Sequence, residues 1–431
     1  MNTSLASSEA RNPTDWATDA MQRRIRARYR AEKRFRIYGL FAVLLSAGFL
    51  AFLLITMMSS GARGFTQVQV ALPVDFSSSD IFLEPSQLDG ENRDQLLAEA
   101  DFQGLARQAA IAAYGEDGDA LFSGGAWVSL RNAVSEDPTL LTRQETLWLP
   151  ASTEVDFAAR GDAGARQSEE RSAMIDRYAE LEEAGQVRRA LSWTFLTMAD
   201  SSDPTLAGIW GALKGSLLTM LVTLALAFPI GVLAAVYLEE YAPQNRWTDM
   251  IEVSINNLAA VPSIIFGLLG LAVFINTFHL PRSAAIVGGL TLALMTMPVI
   301  VIAGRNAIKS VPPSIRDAAL GVGASPVQVL THHVLPLSLP GILTGTIIGM
   351  SRALGETAPL LLIGMRAFVA TPPDGFTNPA TVLPVQIFLW SDELDPGFVE
   401  KTSAAIIVLL LFLLAMNGIA IWLRNKYEQR W

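Results

Sequence analysis

The sequence contains no cysteine and only three histidines, and these shortages exclude several kinds of chemistry. Without cysteine, the chain forms no disulfide and offers no thiolate ligand to a metal. His332 and His333 are the one close pair of histidines. Adjacent positions on a helix point about 100° apart, which disfavours a metal ion shared by this pair. We therefore interpret the two side chains as facing solvent or lipid headgroups.

A second absence concerns the source of energy. The sequence has no G-x-x-x-x-G-K-[ST] loop, the motif whose backbone cradles the phosphates of ATP. We therefore expect that this chain does not hydrolyse ATP itself. Energy for its function has to come from another protein or from a gradient.

The chain is also too apolar for an ordinary soluble domain. It has 431 residues, of which 51% are hydrophobic, and its mean hydropathy is positive. A helix needs about 20 apolar residues to cross a bilayer core, and several runs reach that length. The net charge of -9 says little by itself, because positive and negative residues are separated along the chain.

The N-terminal residues 1–37 are polar and become densely basic, with eight Lys or Arg against one acidic residue in Arg23–Arg36. The apolar run 38–58 follows directly. It is longer than the 7 to 15 apolar residues of a signal peptide, and no small-residue cleavage site is evident, so we predict an uncleaved transmembrane helix. The positive-inside rule then places the N-terminus in the cytoplasm. A nucleic-acid-binding arm is disfavoured because a membrane-spanning run follows directly.

Residues 59–207 have no lysine, no histidine and no membrane-spanning run, and they contain 11 Arg. Their position after the first transmembrane helix predicts a domain outside the cytoplasm. Period-two alternation in FTQVQVALPVDF predicts a strand; a second strand is predicted at Glu145–Pro150, and amphipathic helices at Asp94–Tyr114 and Ala165–Leu196. The scattered carboxylates favour a solvated acidic surface over a catalytic site.

The remaining residues, 208–431, contain further long apolar runs. Gly341, Gly345 and Gly349 form two overlapping GxxxG patterns, which predict close helix packing. A polar loop is expected at 365–402, and the basic C-terminal tail is expected in the cytoplasm. The sequence thus predicts an all-α polytopic membrane protein with six transmembrane helices and an α+β domain inserted between the first two. The five later helices are predicted at 216–238, 258–278, 283–303, 337–364 and 403–423.

Arg352 and Glu356 stand four residues apart inside the fifth apolar run. Insertion of a central Arg or Asp into a membrane costs about 2.5 to 3.5 kcal/mol, so such charges usually have a partner or a pathway. One interpretation is an ion pair that only fixes packing. The other is that Arg352 faces a polar translocation route and meets an anion, with Glu356 orienting it. A guanidinium suits phosphate, because its planar fork donates two parallel hydrogen bonds.

A polar stretch, Asp317–Pro336, lies in the predicted cytoplasmic segment 304–336. Ser325 suits a helix N-cap, Pro326 suits the first helical position, and Gln328 completes a capping box. Upstream, Pro312-Pro313-Ser314 predicts a helix start, and Gly321 and Gly323 predict its end. We predict two short helices joined by a tight turn, with Ala318 and Ala319 forming a surface that another protein can approach closely.

These residues resemble the EAA loop of ABC importer permeases. The pattern E-A-A-x3-G-x9-I-x-L-P matches Asp317-Ala318-Ala319, Gly323 and His333-Val334-Leu335-Pro336, with Asp317 replacing Glu and His333 replacing an aliphatic residue. Four further stretches resemble the PstA-type permease subunit of the phosphate importer: YLEEYAP at 237–243, VPSIIFGLLGL at 261–271, LPGILTGTI at 339–347 and SRALGETAPLLLIG at 351–364.

The resemblance implies a multi-pass subunit of the bacterial inner membrane, with both termini cytoplasmic, that translocates inorganic phosphate. It further implies a heterodimer with a PstC-type permease, two ATPase subunits that hold ATP and Mg²⁺, and an extracytoplasmic phosphate-binding protein. The chain itself would be a transporter subunit without a cofactor, a metal or an enzymatic activity, and it would bind no nucleic acid. Alternatives are a permease for another oxyanion, or a signalling or scaffold subunit that senses through residues 59–207.

The same resemblance implies roles for individual residues. Arg352 and Glu356 match the SRALGET motif and are candidates for the phosphate pathway. Arg305 is a weaker candidate, because a positive-inside anchor explains it equally well. The ATPase would dock on the EAA loop, through Asp317, Ala318, Ala319, Gly323, Leu335 and Pro336.

Overall fold

The first helix, α1, spans Asp19–Gly64 and joins the basic segment to the first apolar run without a break. Our computed structural model describes residues 18–77, 81, 83–90, 92–159, 169–365 and 368–427, so the first 17 residues of the predicted basic N-terminus lie outside the described part. The chain divides into two units, residues 1–57 and 58–431. In the first unit, apolar side chains between Ile37 and Ile55 are exposed, as expected of a helix that contacts lipid.

A three-stranded antiparallel sheet follows α1. Its strands are β1 (Thr66–Asp75), β2 (Gln144–Pro150) and β3 (Val187–Leu191), in the order β2-β1-β3. The alternation that predicts β1 is confirmed, because Val68, Val70, Leu72 and Val74 are all buried in one core. Six helices accompany the sheet: α2 (Arg93–Glu99), α3 (Phe102–Tyr114), α4 (Ala126–Glu136), α5 (Thr153–Ala158), α6 (Glu169–Glu183) and α7 (Trp193–Thr197).

Both helices predicted in this region need correction. The first is split into α2 and α3 at Asp101, whose carboxylate accepts a hydrogen bond from the Gly104 N–H at 2.8 Å and caps α3. Residues 165–168 of the second prediction, Ala165–Leu196, lie outside the described residues, and the prediction is wrong after Glu183. α6 ends at Glu183, Gly185 adopts φ of +67°, and the chain then turns into β3. The partner of β3 is β1, more than a hundred residues earlier, so local periodicity could not indicate this strand.

The remaining residues form mostly helices. Five helices in the described part of the chain are long and apolar enough to cross a membrane, or six if one bent pair counts as a span. The predicted six-helix membrane fold is therefore confirmed. After the sheet region come α8 (Trp210–Val236), α9 (Arg246–Ala259), α10 (Ser263–Leu269), α11 (Ala285–Lys309), α12 (Pro313–Gly321), α13 (Pro326–Val329), α14 (Leu335–Gly355), α15 (Ala358–Leu362), α16 (Leu383–Ser391) and α17 (Gly397–Tyr427).

Glycines on α14 set its distance from α11. A Cβ added at Gly341 would lie 2.7 Å from the Cβ of Ala307, and one at Gly349 would lie 2.9 Å from Thr296 Cγ2. A Cβ at Gly345 would overlap Ala303. The predicted GxxxG packing is confirmed, and α11 packs against both α8 and α14.

The third span differs from the continuous helix predicted at 258–278. The amphipathic α9 ends at Ala259, Pro262 precedes α10, and a π-helical turn continues α10 to Thr277. The two halves are bent by 103°. Proline restricts the residue before it and cannot donate a backbone hydrogen bond, which explains why the helix restarts there.

The fifth span ends earlier than predicted, and the loop after it is partly helical. α14 ends at Gly355 rather than Gly364, and the short α15 follows. α16 then lies within the predicted polar loop 365–402, with Leu383, Val385 and Trp390 buried. Its apolar sequence is too short to resemble a membrane span, and only its tertiary contacts reveal it.

Candidate functional site

The predicted helix-turn-helix is present as α12 and α13. Ser325 Oγ accepts a hydrogen bond from the Gln328 N–H at 3.4 Å, and Gln328 Oε1 accepts one from the Ser325 N–H at 2.9 Å. This reciprocal pair is the predicted capping box. Gly323 has φ of +90°, so the turn uses a conformation that favours glycine.

The two alanines of the EAA-like segment point in different directions. Asp317 and Ala318 are exposed, whereas Ala319 is 6% exposed and packs in a cluster with Ile308, Val311 and other apolar residues. The expectation that both alanines form a surface is therefore wrong for Ala319. The reason is that α12 needs one buried face to stay attached to the helices beneath it.

Sequence analysis missed an apolar edge on the same element. Leu320, Val322 and Val327 are exposed by 49%, 87% and 58% around the turn. We name Asp317, Ala318, Leu320, Val322, Gly323 and Val327 the turn surface. The motif at the start of α14 lies beside it, with Leu335 and Pro336 half-buried and both His332 and His333 exposed.

Arg305 lies near the end of α11 and faces two carboxylates. Its Nη1 is 2.9 Å from Glu252 Oε1, and its Nε is 3.4 Å from Glu239 Oε2. Nη2 also donates to Glu252, at 3.1 Å. These partners neutralise the guanidinium within the chain, which favours the structural interpretation of Arg305 over a role in a pathway.

Arg316, at the start of α12, also has several acceptors. Its Nη2 donates to Glu240 Oε1 at 2.7 Å and to the Ile308 carbonyl at 3.0 Å. Its Nη1 donates to the Val311 carbonyl at 2.7 Å. Sequence analysis used Arg316 only as a positive charge. The two adjacent glutamates in YLEEYAP were the available indication that this end of α8 binds cations.

Arg352 and Glu356 come together at the end of α14. Arg352 Nε lies 3.5 Å from Glu356 Oε1, and the Arg352 side chain is about half exposed, against 21% for Glu356. Ile348, one turn earlier, is also exposed, so both belong to a free face of α14. In the described part of the chain, the Nη atoms of Arg352 make no hydrogen bond. The guanidinium can therefore donate two bonds to an oxyanion while Glu356 holds Nε.

Outside the membrane helices, a half-buried carboxylate joins two segments that the sequence alone does not connect. Asp200 Oδ1 accepts a hydrogen bond from Trp390 Nε1 of α16 at 2.9 Å. Burial raises the pKa of the Asp200 carboxyl, and the hydrogen bonds from Trp390 and the Ser201 N–H oppose that shift. The described residues contain no group of three or more His, Asp or Glu placed to hold a metal ion.

Two family models match separate parts of the chain. Residues 22–169 match a domain of unknown function, DUF3333. Residues 212–431 match the binding-protein-dependent transport system inner membrane component. The second match begins in α8 and includes the turn surface and the pair Arg352–Glu356.

Curated relatives match about half of the chain. The probable ABC transporter permease protein YqgI of Bacillus subtilis is 31% identical over 246 residues, which cover 54% of this chain and 83% of that protein. The phosphate transport system permease protein PstA 1 of Mycobacterium tuberculosis is 32% identical over 228 residues, covering 52% and 72%. PstA of Yersinia pestis is 29% identical, covering 52% and 75%.

Among solved structures, a chain of the MetNI methionine ABC transporter in an inward-facing conformation matches with a TM-score of 0.41 and 18% identity, covering 51% of this chain and 98% of that chain.

Proposed function

Because the chain belongs to the family of binding-protein-dependent transport system inner membrane components, we propose that it is the PstA-type permease subunit of an ATP-driven phosphate importer. It is a transport subunit of the membrane and not an enzyme. The observation that carries the proposal is that the Nη atoms of Arg352, in the last turn of α14 and within the part of the chain that matches the permease family, make no hydrogen bond to the described residues.

Arg352 and Glu356 form the proposed phosphate contact. Phosphate would accept hydrogen bonds from the Nη atoms of Arg352, while Glu356 keeps the guanidinium plane fixed and limits its positive charge. Partial neutralisation of the Arg352 guanidinium weakens its attraction for phosphate, and this allows the transported ion to leave the site. Arg305 is a weaker candidate for contact with phosphate, because Glu239 and Glu252 already accept hydrogen bonds from its guanidinium.

The proposal also includes an orientation in the membrane and a set of partner proteins. The basic first turns of α1 and the tail after α17 would be cytoplasmic, and residues 59–207 would lie outside. The turn surface, with Ala319, Leu335 and Pro336 supporting it, would contact an ATPase subunit that holds ATP and Mg²⁺. A PstC-type permease would complete the pathway beside the free face of α14, with a second ATPase beneath it and a phosphate-binding protein outside.

The two alternative functions are not favoured. Relatives that are phosphate permeases favour phosphate over another oxyanion. Membership of a permease family favours transport over signalling alone.

Phosphate uptake by the complex in vesicles tests this proposal. We expect Arg352→Ala to reduce the initial rate roughly tenfold or more, since a hydrogen bond to a charged group is worth about 1.5–3 kcal/mol. Arg352→Lys should also lose uptake, because an ammonium lacks the planar fork. Arg424→Ala is the matched control, since Arg424 on α17 is half-buried and donates only to its neighbour Asn425 among the described residues. Wild-type uptake by both Arg352 variants, with the subunits still co-purifying, would remove Arg352 from the pathway.

A further inference from the structure

Two adjacent glutamates at the end of α8 bind two different helices. A π-helical turn, Tyr237–Tyr241, extends α8 and carries both of them. Glu239 faces Arg305 of α11, and Glu240 faces Arg316 of α12. The end of α8 therefore binds both α11 and α12, the helix that leads into the turn surface.

Arg316 also donates hydrogen bonds to carbonyl groups at the end of α11. The last carbonyls of a helix lack partners within the helix, and a cation near them interacts favourably with the helix dipole. Arg316 donates to the carbonyl of Ile308, in the last turn of α11, and to that of Val311 in the connection to α12. One side chain thus binds the end of α8, the end of α11 and the connection between α11 and α12.

The pair is partly shielded from water. The side chains of Arg316 and Glu240 are 22% and 19% exposed. Shielding strengthens the attraction relative to a surface ion pair, which is typically worth only about 0–1 kcal/mol. An apolar cluster beneath the pair, which includes Ala235, Ile308 and Ala319, packs the same three helices together.

We propose that Glu240 and Arg316 are positioning residues that transmit movement of α12 to α8 and α11. This inference rests on the proposed function. When the ATPase displaces α12, the ion pair would make the ends of α8 and α11 follow. Without it, the connection Ser310–Pro312 would act as a hinge and absorb the displacement.

The first test measures ATP hydrolysis and phosphate uptake separately in vesicles that contain the whole complex. Arg316→Ala should leave ATPase co-purification and hydrolysis near wild type, while phosphate moved per ATP falls about fivefold or more. Arg316→Lys should give an intermediate ratio, because one ammonium cannot serve Glu240 and both carbonyls together. Glu240→Ala should lower the ratio as well, because it removes the other member of the ion pair.

Asp249→Asn is the matched control, since Asp249 is an exposed carboxylate on the neighbouring α9. An unchanged ratio in Arg316→Ala would overturn the proposal. A parallel loss of ATPase binding and uptake would also overturn it, because that result assigns Arg316 to docking or folding. An unchanged ratio in Glu240→Ala counts against it as well.

A second test does not depend on the identity of the transported solute. The chain has no cysteine, so Ser314→Cys on α12 and Leu233→Cys on α8, both exposed, can be spin-labelled specifically in the assembled complex. We expect one narrow distance distribution, which Arg316→Ala broadens. An unchanged distribution would overturn the positioning role. If the wild-type complex moved no phosphate, only the proposed function would fall, and these distances would still decide the role of the pair.

Discussion

Three arginines on α11, α12 and α14 face different acceptors, and the acceptors assign them different roles. Arg305 is enclosed by two carboxylates. Arg316 binds one carboxylate and two carbonyls. Arg352 has one carboxylate, which contacts only its Nε. Of the three, Arg352 alone has terminal nitrogens without an acceptor among the described residues, and we therefore expect phosphate uptake to be most sensitive to substitution at this residue.

The Glu356→Gln variant distinguishes two proposed roles of Glu356, which are to orient the Arg352 guanidinium and to neutralise part of its charge. The amide oxygen can still accept from Arg352 Nε, but the negative charge is lost. We expect phosphate to be held more tightly, so that both the KM for uptake and the maximal rate fall by a few-fold. Uptake kinetics over a phosphate series measure both quantities. A higher KM with an unchanged maximal rate would contradict this role.

Asp200 predicts a pH dependence of stability. Burial raises its pKa, so the folded protein holds this proton more tightly than the unfolded chain does. Stability is therefore greatest below the ordinary carboxyl pKa, falls as the pH rises through the raised value, and is level above it. Asp200→Asn keeps an acceptor for Trp390 Nε1 and removes the charge. We expect its Tm in detergent to equal or exceed that of wild type at neutral pH, and to depend less on pH.

Asp200→Leu is the contrasting variant. It leaves Trp390 Nε1 buried without an acceptor, which costs about 1–3 kcal/mol, so its Tm should fall. If Asp200→Asn lowered the Tm as much as Asp200→Leu, the charge itself would be stabilising, contrary to this argument.

At the scale of elements, the turn between α12 and α13 provides a sharp comparison of two glycines. Gly323 has φ of +90°, whereas Gly321 ends α12 without a positive φ, and a Cβ added at either position meets no atom within 4 Å. Gly323→Ala therefore introduces backbone strain within the chain, of about 1–3 kcal/mol, without a steric clash. We expect this variant to lose ATPase co-purification and Gly321→Ala to keep it. Equal co-purification in both variants would show that the shape of the turn does not govern docking.

Elements defined by short-range chemistry were predictable from the sequence. The capping box at Ser325, the helix start at Pro313 and the alternation of β1 depend on residues within a few positions of one another. β3 and α16 depend on distant partners, β1 and Asp200 respectively, and local patterns gave no indication of either. The same holds at the candidate site, where the motif indicated Arg352 and Glu356 but the bond between Arg316 and Glu240 joins residues 76 positions apart.

At the scale of the whole molecule, the region between α1 and α8 is held in two different ways. Its sheet buries a core of its own around β1. The residues that flank the sheet pack against the membrane core instead. Phe195 is fully buried with Trp390 and Phe398, and a Cβ at Gly61 or Gly64 would overlap α17. Removing the sheet alone should therefore disturb the membrane core far less than removing all of 59–207.

The register of the sheet shows where to cut. Thr66 pairs with Leu191, and the Ser192 N–H donates to the Phe65 carbonyl at 2.8 Å, so the two ends of the sheet region are neighbours. A linker of about two residues, the length of a tight hairpin loop, can replace residues 67–190. We expect this variant to assemble with its partners and keep partial phosphate uptake, whereas deletion of 59–207 gives no assembled complex. Failure of the shorter deletion to assemble would show that the membrane core needs the sheet. Assembly of both would show that the contacts of Phe195, Gly61 and Gly64 are dispensable.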